Sequence, residues 1–461
     1  MNKAVGISGI ALIGLFTLLA YLSGDFSLEI PLTERPVILL TSVLLLSGAV
    51  YLFAVYAIPT AGITRNGILF IIAIGLILRL SMFLSTPMLE DDYFRYLWDG
   101  AVTANGFSPY RYAPEEVVNG TNIPARLTEL RTESREVIHH INHPRLRSIY
   151  PPVAQALFAL SYSIKPWSMT AWRSILLVFD AITLLLLFYA LKTNSLPLAF
   201  LIVYWWNPLL VKEIFNSGHL DVLAFPFALG GIMLAAKNRH IRSVAALVAG
   251  IGIKLWPAFL LPLVLKQLLA RPKKLIASIA LACFLLLAIF VPYYISGLDY
   301  SSGLVAYSRK WQNNDSAFRI LIFLSQHLLD LLGYETYRKY DMARVLAASV
   351  TLLWVGYITL RKHPSEDLFQ KSLYIIAFVF LIGPTQFPWY YTWLLPFLVL
   401  KPRFSLLLLT ALLPLYYLRY YLEPRGKLEL FNNVVVWIEF LPVWVLVLVE
   451  WKKGAREAAI N

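Results

Sequence analysis

The chain has 461 residues, 59% hydrophobic and only 15% charged, against roughly 25% charged in soluble globular domains. That balance excludes a string of soluble domains and points to an integral membrane protein. The net charge of +13 sits mostly at the ends of apolar runs, where cations set topology and meet anionic lipid, so nucleic acid is disfavoured as a partner.

In chain order, the first run, 4–22, follows Lys3 and lacks a small-residue cleavage site. It reads as a retained helix, with the chain starting near Met1. Spanning candidates are 4–22, 36–58, 67–85, 173–191, 196–210, 219–236, 275–295, 345–360, 404–422 and 434–449, each apolar over about the length needed to cross a bilayer core. Shorter apolar pieces accompany them: 153–164, then 244–265 broken by Gly252, Lys254 and Pro257, then 373–400 broken by Gly383, Pro384 and Pro388. Such breaks predict half-helices or re-entrant hairpins. The expected fold is all-α and polytopic, with about 10–12 transmembrane helices in one domain, 1–461. The longest polar interval, 87–150, is predicted to carry interfacial helices. Cys283 is the sole cysteine, so neither a disulfide framework nor a cysteine metal site is available. No sequence repeat of fixed period is present.

Lys237, Arg239 and Arg242, and the tail residues Lys452, Lys453 and Arg456, assign their segments to the cytoplasm. The interval 87–150 and the segment 216–221 then lie outside, provided 153–164 returns without crossing. The piece 244–265 has basic residues at both ends (Arg242, then Lys266, Arg271, Lys273 and Lys274) and is expected to open and close on the cytoplasmic side. Polar features at 90–99, 142–152, 216–221, 299–315 and 386–391 then share one side, which predicts an outward-facing site.

Three consecutive carboxyls, Glu90, Asp91 and Asp92, follow the third run. As a helix, the segment after them sets Phe94, Leu97, Trp98 and Ala101 on one stripe and Asp92, Arg95 and Asp99 on another. The acids suit a helix N-terminus, with Arg95 pairing to Asp91 and Asp99. One cap does not need three carboxylates, and crowded like charge raises the pKa of at least one, which suits a general base. His219 and Asp221 are two residues apart, roughly 200° around a helix, so they form no one-face dyad, but they can line a site from a turn. No zinc-ligand spacing occurs. Lys254, an ionisable group inside an apolar run, reads either as a ligand for a lipid phosphate or as a snorkelling or paired residue, with Glu213 or Asp180 as partner. Arg309 and Lys310 suit phosphate, Trp311 a sugar face, and Asn314 and Asp315 hydroxyls. Trp389 and Tyr390, an aromatic cluster at the last break, join these as substrate-binding candidates and together raise a sugar-phosphate reading, with an interfacial aromatic belt as the bland alternative.

Taken in order, these segments resemble the multi-spanning GT-C glycosyltransferases, in the mannosyltransferase-like group that includes the GT87 enzymes. The matching elements are Asp91-Asp92 with Arg95-Tyr96 and Trp98-Asp99-Gly100, Ser108-Pro109-Tyr110, Ile141-Asn142-His143-Pro144, and Ile149-Tyr150-Pro151-Pro152 with Ala154-Gln155. They continue with Trp206-Asn207-Pro208, Ser217-Gly218-His219-Leu220-Asp221, Lys254-Leu255, Trp311 with Asn314-Asp315-Ser316, and Pro388-Trp389-Tyr390 with Trp393-Leu394-Leu395-Pro396. Glu90, Asp92 and Tyr93 are also similar to the acidic-x-acidic-Tyr motif of the GPI mannosyltransferases, with Glu where that family has Asp.

The resemblance implies a GT-C-type fold and inverting transfer of a sugar, most commonly mannose, from a polyprenyl-phosphate donor to a glycan or glycolipid outside the plasma membrane. A first-loop carboxylate, Asp91 or Asp92, would deprotonate the acceptor. His219 and Asp221 become substrate-contact candidates by the resemblance, Glu90 and Arg95 are further substrate-binding candidates from the acidic segment itself, and no metal is expected to be required. The rival readings are a lipid or solute transporter, whose charges belong near the bilayer midplane, and a lipid-diphosphate-sugar polymerase or ligase, for which more arginine is expected.

Overall fold

The structure, a computed structural model, describes residues 3–58, 63–363 and 366–460, with side chains as far as Lys452. Met1 and the side chains of Lys453 and Arg456, which bear on the topology, lie outside it. Among the described residues the secondary structure is helical, without a strand. Eight helices among the described residues are long and apolar enough to cross a membrane: Lys3–Phe26, Val37–Tyr56, Arg65–Phe83, Met169–Thr193, Pro272–Ile295, Thr336–Leu360, Phe404–Arg425 and Leu428–Lys452. The pair Leu198–Trp205 and Pro208–Asn216, bent by 48°, makes a ninth if counted as one span. A count of ten to twelve is reached only if shorter apolar helices also cross. The expected span 219–236 is one of these: it is the 17-residue helix Leu220–Ala236, about 25 Å long against a core of about 30 Å.

The chain divides into two compact units interleaved in sequence. The first comprises Met1–Leu89, Leu184–Asn216 and Gln312–Asn461. Within it, the expected single span 196–210 is broken because Pro208 has no N–H to donate and begins a new helix, with Asn207 Oδ1 accepting from Leu210 N (3.0 Å). The freed Trp205 carbonyl accepts a hydrogen bond from Arg79 Nη1 (2.6 Å), whose guanidinium lies over the Trp205 ring (3.5 Å). A carbonyl without such a partner in an apolar layer costs several kcal/mol. Lys212 and Glu213, both fully buried, sit 3.4 Å apart, and the Tyr417 hydroxyl donates to Glu213. At the end of this segment Asn216 accepts from Met88 N (2.9 Å) and donates to Ser85 Oγ and the Thr86 carbonyl (2.7 Å each). It thereby fixes the chain immediately before the acidic triplet.

The second unit comprises Glu90–Thr183 and Ser217–Trp311. The interval 87–150 carries the expected helices, Asp92–Ala104, Pro114–Asn119 and Ala125–Glu133. They share a small core of Phe94, Trp98, Ala101, Val102, Val117, Leu127, Leu130, Ile138 and Ile141, so the interval is folded and not merely laid on a surface. Helix Asp92–Ala104 packs on Pro152–Ile164 at Gly100, where a Cβ would stand 2.4 Å from the Phe158 carbonyl oxygen. Only glycine allows that approach. The predicted hairpin also forms: His240–Ile251 runs one way, the chain breaks at Gly252, and Trp256–Leu260 and Leu261–Lys266 return. A His240 Nε2 to Gln267 Oε1 hydrogen bond (2.9 Å) joins its two ends. The carbonyl released at Gly252 accepts from Val153 N (3.0 Å) and Ala154 N (3.1 Å), satisfying the first turn of Pro152–Ile164.

Candidate active site

Asp91 is the N-cap residue of helix Asp92–Ala104, yet its carboxylate makes no capping hydrogen bond. The expectation that the acids serve as caps is therefore corrected for Asp91. Its carboxylate turns to Asn142, whose Nδ2 donates to Asp91 Oδ1 (2.7 Å) and to Asp92 Oδ1 (3.0 Å). Asp92 Oδ2 faces His219 Nδ1 at 3.7 Å, with the His219 side chain fully buried and that of Asp92 26% exposed. Burial first, then the adjacent Asp92 charge, raises the Asp91 carboxyl to about 6 against the opposing hydrogen bond from Asn142.

Three residues with left-handed backbone flank this cluster: Leu89 (φ 71°), His143 (φ 50°) and Gly218 (φ 79°). For Leu89 and His143 the conformation costs about 1–3 kcal/mol each and persists only where the surroundings enforce it. Gly218 takes it without that cost, and its carbonyl accepts from Trp172 Nε1 (2.7 Å), which sets the approach to His219.

The charged stripe of Asp92–Ala104 turns inward: Arg95 and Asp99 are both buried. Arg95 pairs with Asp99 at 4.0 Å, as expected, but its other contact is the His143 carbonyl (3.2 Å) and not Asp91. Gln155 Nε2 donates to Asp99 Oδ2 (3.2 Å) and Ser148 Oγ (2.7 Å). Burial drives the Asp99 carboxyl up, opposed by Arg95 and by hydrogen bonds from Ser148 and Gln155. The buried Tyr96 phenol is pushed well above its ordinary value by burial, then by Tyr150, Asp92 and Asp221.

Lys254 Nζ lies 2.9 Å and 3.1 Å from the two oxygens of Asp221, a carboxylate partner that was not named from the sequence. Glu90, immediately before Asp91 and Asp92 in sequence, is buried. Trp311 meets the His143 ring at 4.6 Å, next to Asn142. Arg309 and Lys310 are exposed in the last turn of helix Gly303–Lys310, where cations complement the helix dipole. The remaining candidates belong to the first unit. Asn314 Nδ2 donates to Glu439 Oε1 (2.9 Å), Asp315 accepts from Gln312 Nε2 (3.0 Å), Trp389 stacks on Phe387 (4.4 Å), and Tyr390 on Trp393 (4.8 Å). Among the described residues no group of three or more His, Cys, Asp or Glu is arranged to hold a metal ion.

Asn142, His143, Tyr96 and Gln155 were not among the site residues expected from the sequence. The run Ile141-Asn142-His143-Pro144 in the polar interval was the available signal for the first two.

A family model described as "Alpha-(1->6)-mannopyranosyltransferase, N-terminal domain" matches residues 6–270, more than half of the 461. The chain belongs to the alpha-(1->6)-mannopyranosyltransferase family. It is accordingly a multi-pass membrane glycosyltransferase, and mannose is the sugar its family transfers. The match takes in Asp91, Asp92, Asn142, His219, Asp221 and Lys254 and ends before Arg309. Neither a curated protein nor a solved structure matches the chain.

Proposed function

We propose that this mannosyltransferase takes its sugar from a polyprenyl-phosphate donor and transfers it, with inversion, to a glycan or glycolipid hydroxyl outside the plasma membrane. The observation that carries this reading is the carboxylate pair, with Asp91 and Asp92 bridged by Asn142, Asp92 facing His219, and the Asp91 carboxyl raised to about 6. The apolar helices suit a lipid-borne donor, and the basic segments Lys237–Arg242 and Lys266–Lys274 suit the opposite, cytoplasmic face. The family description supports a sugar 6-hydroxyl as the acceptor.

In the proposed step the acceptor oxygen attacks the anomeric carbon as the bond from that carbon to the phosphate oxygen breaks. The leaving lipid phosphate takes the bonding electrons, and the hydroxyl proton passes to Asp91. A carboxylate near pH 6 is ionised at neutral pH yet basic enough to receive that proton as the new bond forms. Asp92, facing His219, supports the positive charge that develops on the sugar ring. Lys254, held by Asp221 in the free protein, is the candidate to meet the donor phosphate, with Arg309, Lys310 and Trp311 as further contacts.

The pH profile tests this assignment. Asp91 must be deprotonated to act, so kcat/KM should fall as pH drops, with a midpoint of about 6. The donor phosphodiester keeps one negative charge throughout that range and adds no limb of its own. A midpoint near 4, the ordinary carboxylate value, would remove Asp91 as the base.

A further inference from the structure

We propose that Asn142 is the positioning residue of the carboxylate pair, its single amide nitrogen aligning Asp91 and Asp92 for proton transfer. The inference rests on the reading of that pair as the base and its neighbour. Geometry carries it. One NH2 group has two hydrogens, and each is spent on one carboxylate, at 2.7 Å and 3.0 Å. Both bonds reach Oδ1 atoms. The second Asp92 oxygen is left towards His219, and the second Asp91 oxygen is left for the incoming hydroxyl.

Two carboxylates side by side repel and, unrestrained, would rotate apart. A shared donor is the simplest device that holds them together while both are ionised. The amide is itself held. Arg95 donates to the His143 carbonyl (3.2 Å), Glu115 N donates to the Pro144 carbonyl (3.0 Å), and the Trp311 ring packs on His143. Three separate elements therefore fix the segment 142–144, and the left-handed backbone of His143 is the strained turn they enforce.

The test measures transfer kinetics across pH for the full-length protein in nanodiscs, supplied with polyprenyl-phosphate mannose, in wild type, Asn142→Ala and Asn142→Asp. A hydrogen bond to the ionised form favours it, so losing the amide should raise the acid limb by about one pH unit. Misalignment should lower kcat by about ten- to hundredfold, with the donor KM little changed. Asn142→Asp keeps the shape but replaces a donor with a third acid, and should raise the limb at least as far. A structural role alone would lower activity without moving the limb. An unmoved limb in an alanine variant that unfolds at the wild-type temperature overturns the assignment; should the alanine variant fail to fold, the uncharged, similarly sized Asn142→Leu decides by the same reading. Full activity in both Asp91→Asn and Asp92→Asn would instead sink the underlying reading, whatever Asn142 does.

Discussion

Asp91→Asn is expected to lower kcat by about 10²–10⁴-fold, the contribution typical of a general base, without loss of the folded protein. The substitution keeps size and shape and relieves repulsion from Asp92, so thermal stability in detergent should hold or rise. Asp92→Asn should behave differently. It removes the negative charge that helps raise Asp91, so the acid limb should move to lower pH while a measurable rate persists. That downward movement is opposite in sign to the effect of removing Asn142, and the two variants together separate charge from hydrogen bonding. If Asp92→Asn abolishes transfer while Asp91→Asn retains it, the roles of the two acids are exchanged.

The second large effect concerns the buried ion pair. Lys254→Met should destabilise the protein by about 3–5 kcal/mol, the usual cost of leaving a buried charge without its partner, because the Asp221 side chain is fully buried. Asp221→Asn should cost less. The Lys254 side chain is 16% exposed, and its long stem can carry the ammonium to water. Lys254→Met combined with Asp221→Leu removes both charges and should recover much of the stability, as uncharged replacements of buried pairs often do. Thermal unfolding in detergent reads these differences. Transfer activity should stay low in the double variant even when stability returns, because the candidate phosphate ligand is gone. Full activity there would confine the pair to a structural role.

These expectations show where the sequence was legible. Hydropathy located the spans well because apolar length is a property of contiguous residues. It did not register the bend within 196–210, since an apolar window does not show that one helix ends at Trp205 and another begins at Pro208 with Asn207 as its cap, leaving the Trp205 carbonyl to Arg79. The hairpin at 244–265 could be read because Gly252, Lys254 and Pro257 interrupt an apolar run locally. Its tie from His240 to Gln267 spans 27 positions and leaves no periodic trace. The same limit governs the site. The acidic triplet announced itself by clustering, whereas Asn142 lies 51 positions from Asp91 and Asp221 lies 33 from Lys254. An amide in a polar loop looks like any other until folding delivers it to a carboxylate. Asn314, Asp315, Trp389 and Tyr390 carry side chains suited to sugars, and the bonds and stacks they make with Glu439, Gln312, Phe387 and Trp393 leave no trace in composition.

The central claim is that this mannosyltransferase draws on a lipid-linked sugar, and donor choice tests it most directly. Purified protein in nanodiscs would receive a membrane glycolipid extract as acceptor and either radiolabelled polyprenyl-phosphate mannose or the labelled nucleotide sugar, with and without chelator. The account predicts labelled product from the lipid donor alone, resistant to chelator and lost with Asp91→Asn. Transfer from the nucleotide sugar with no lipid intermediate, at a rate equal to or above that from the lipid donor, would contradict it.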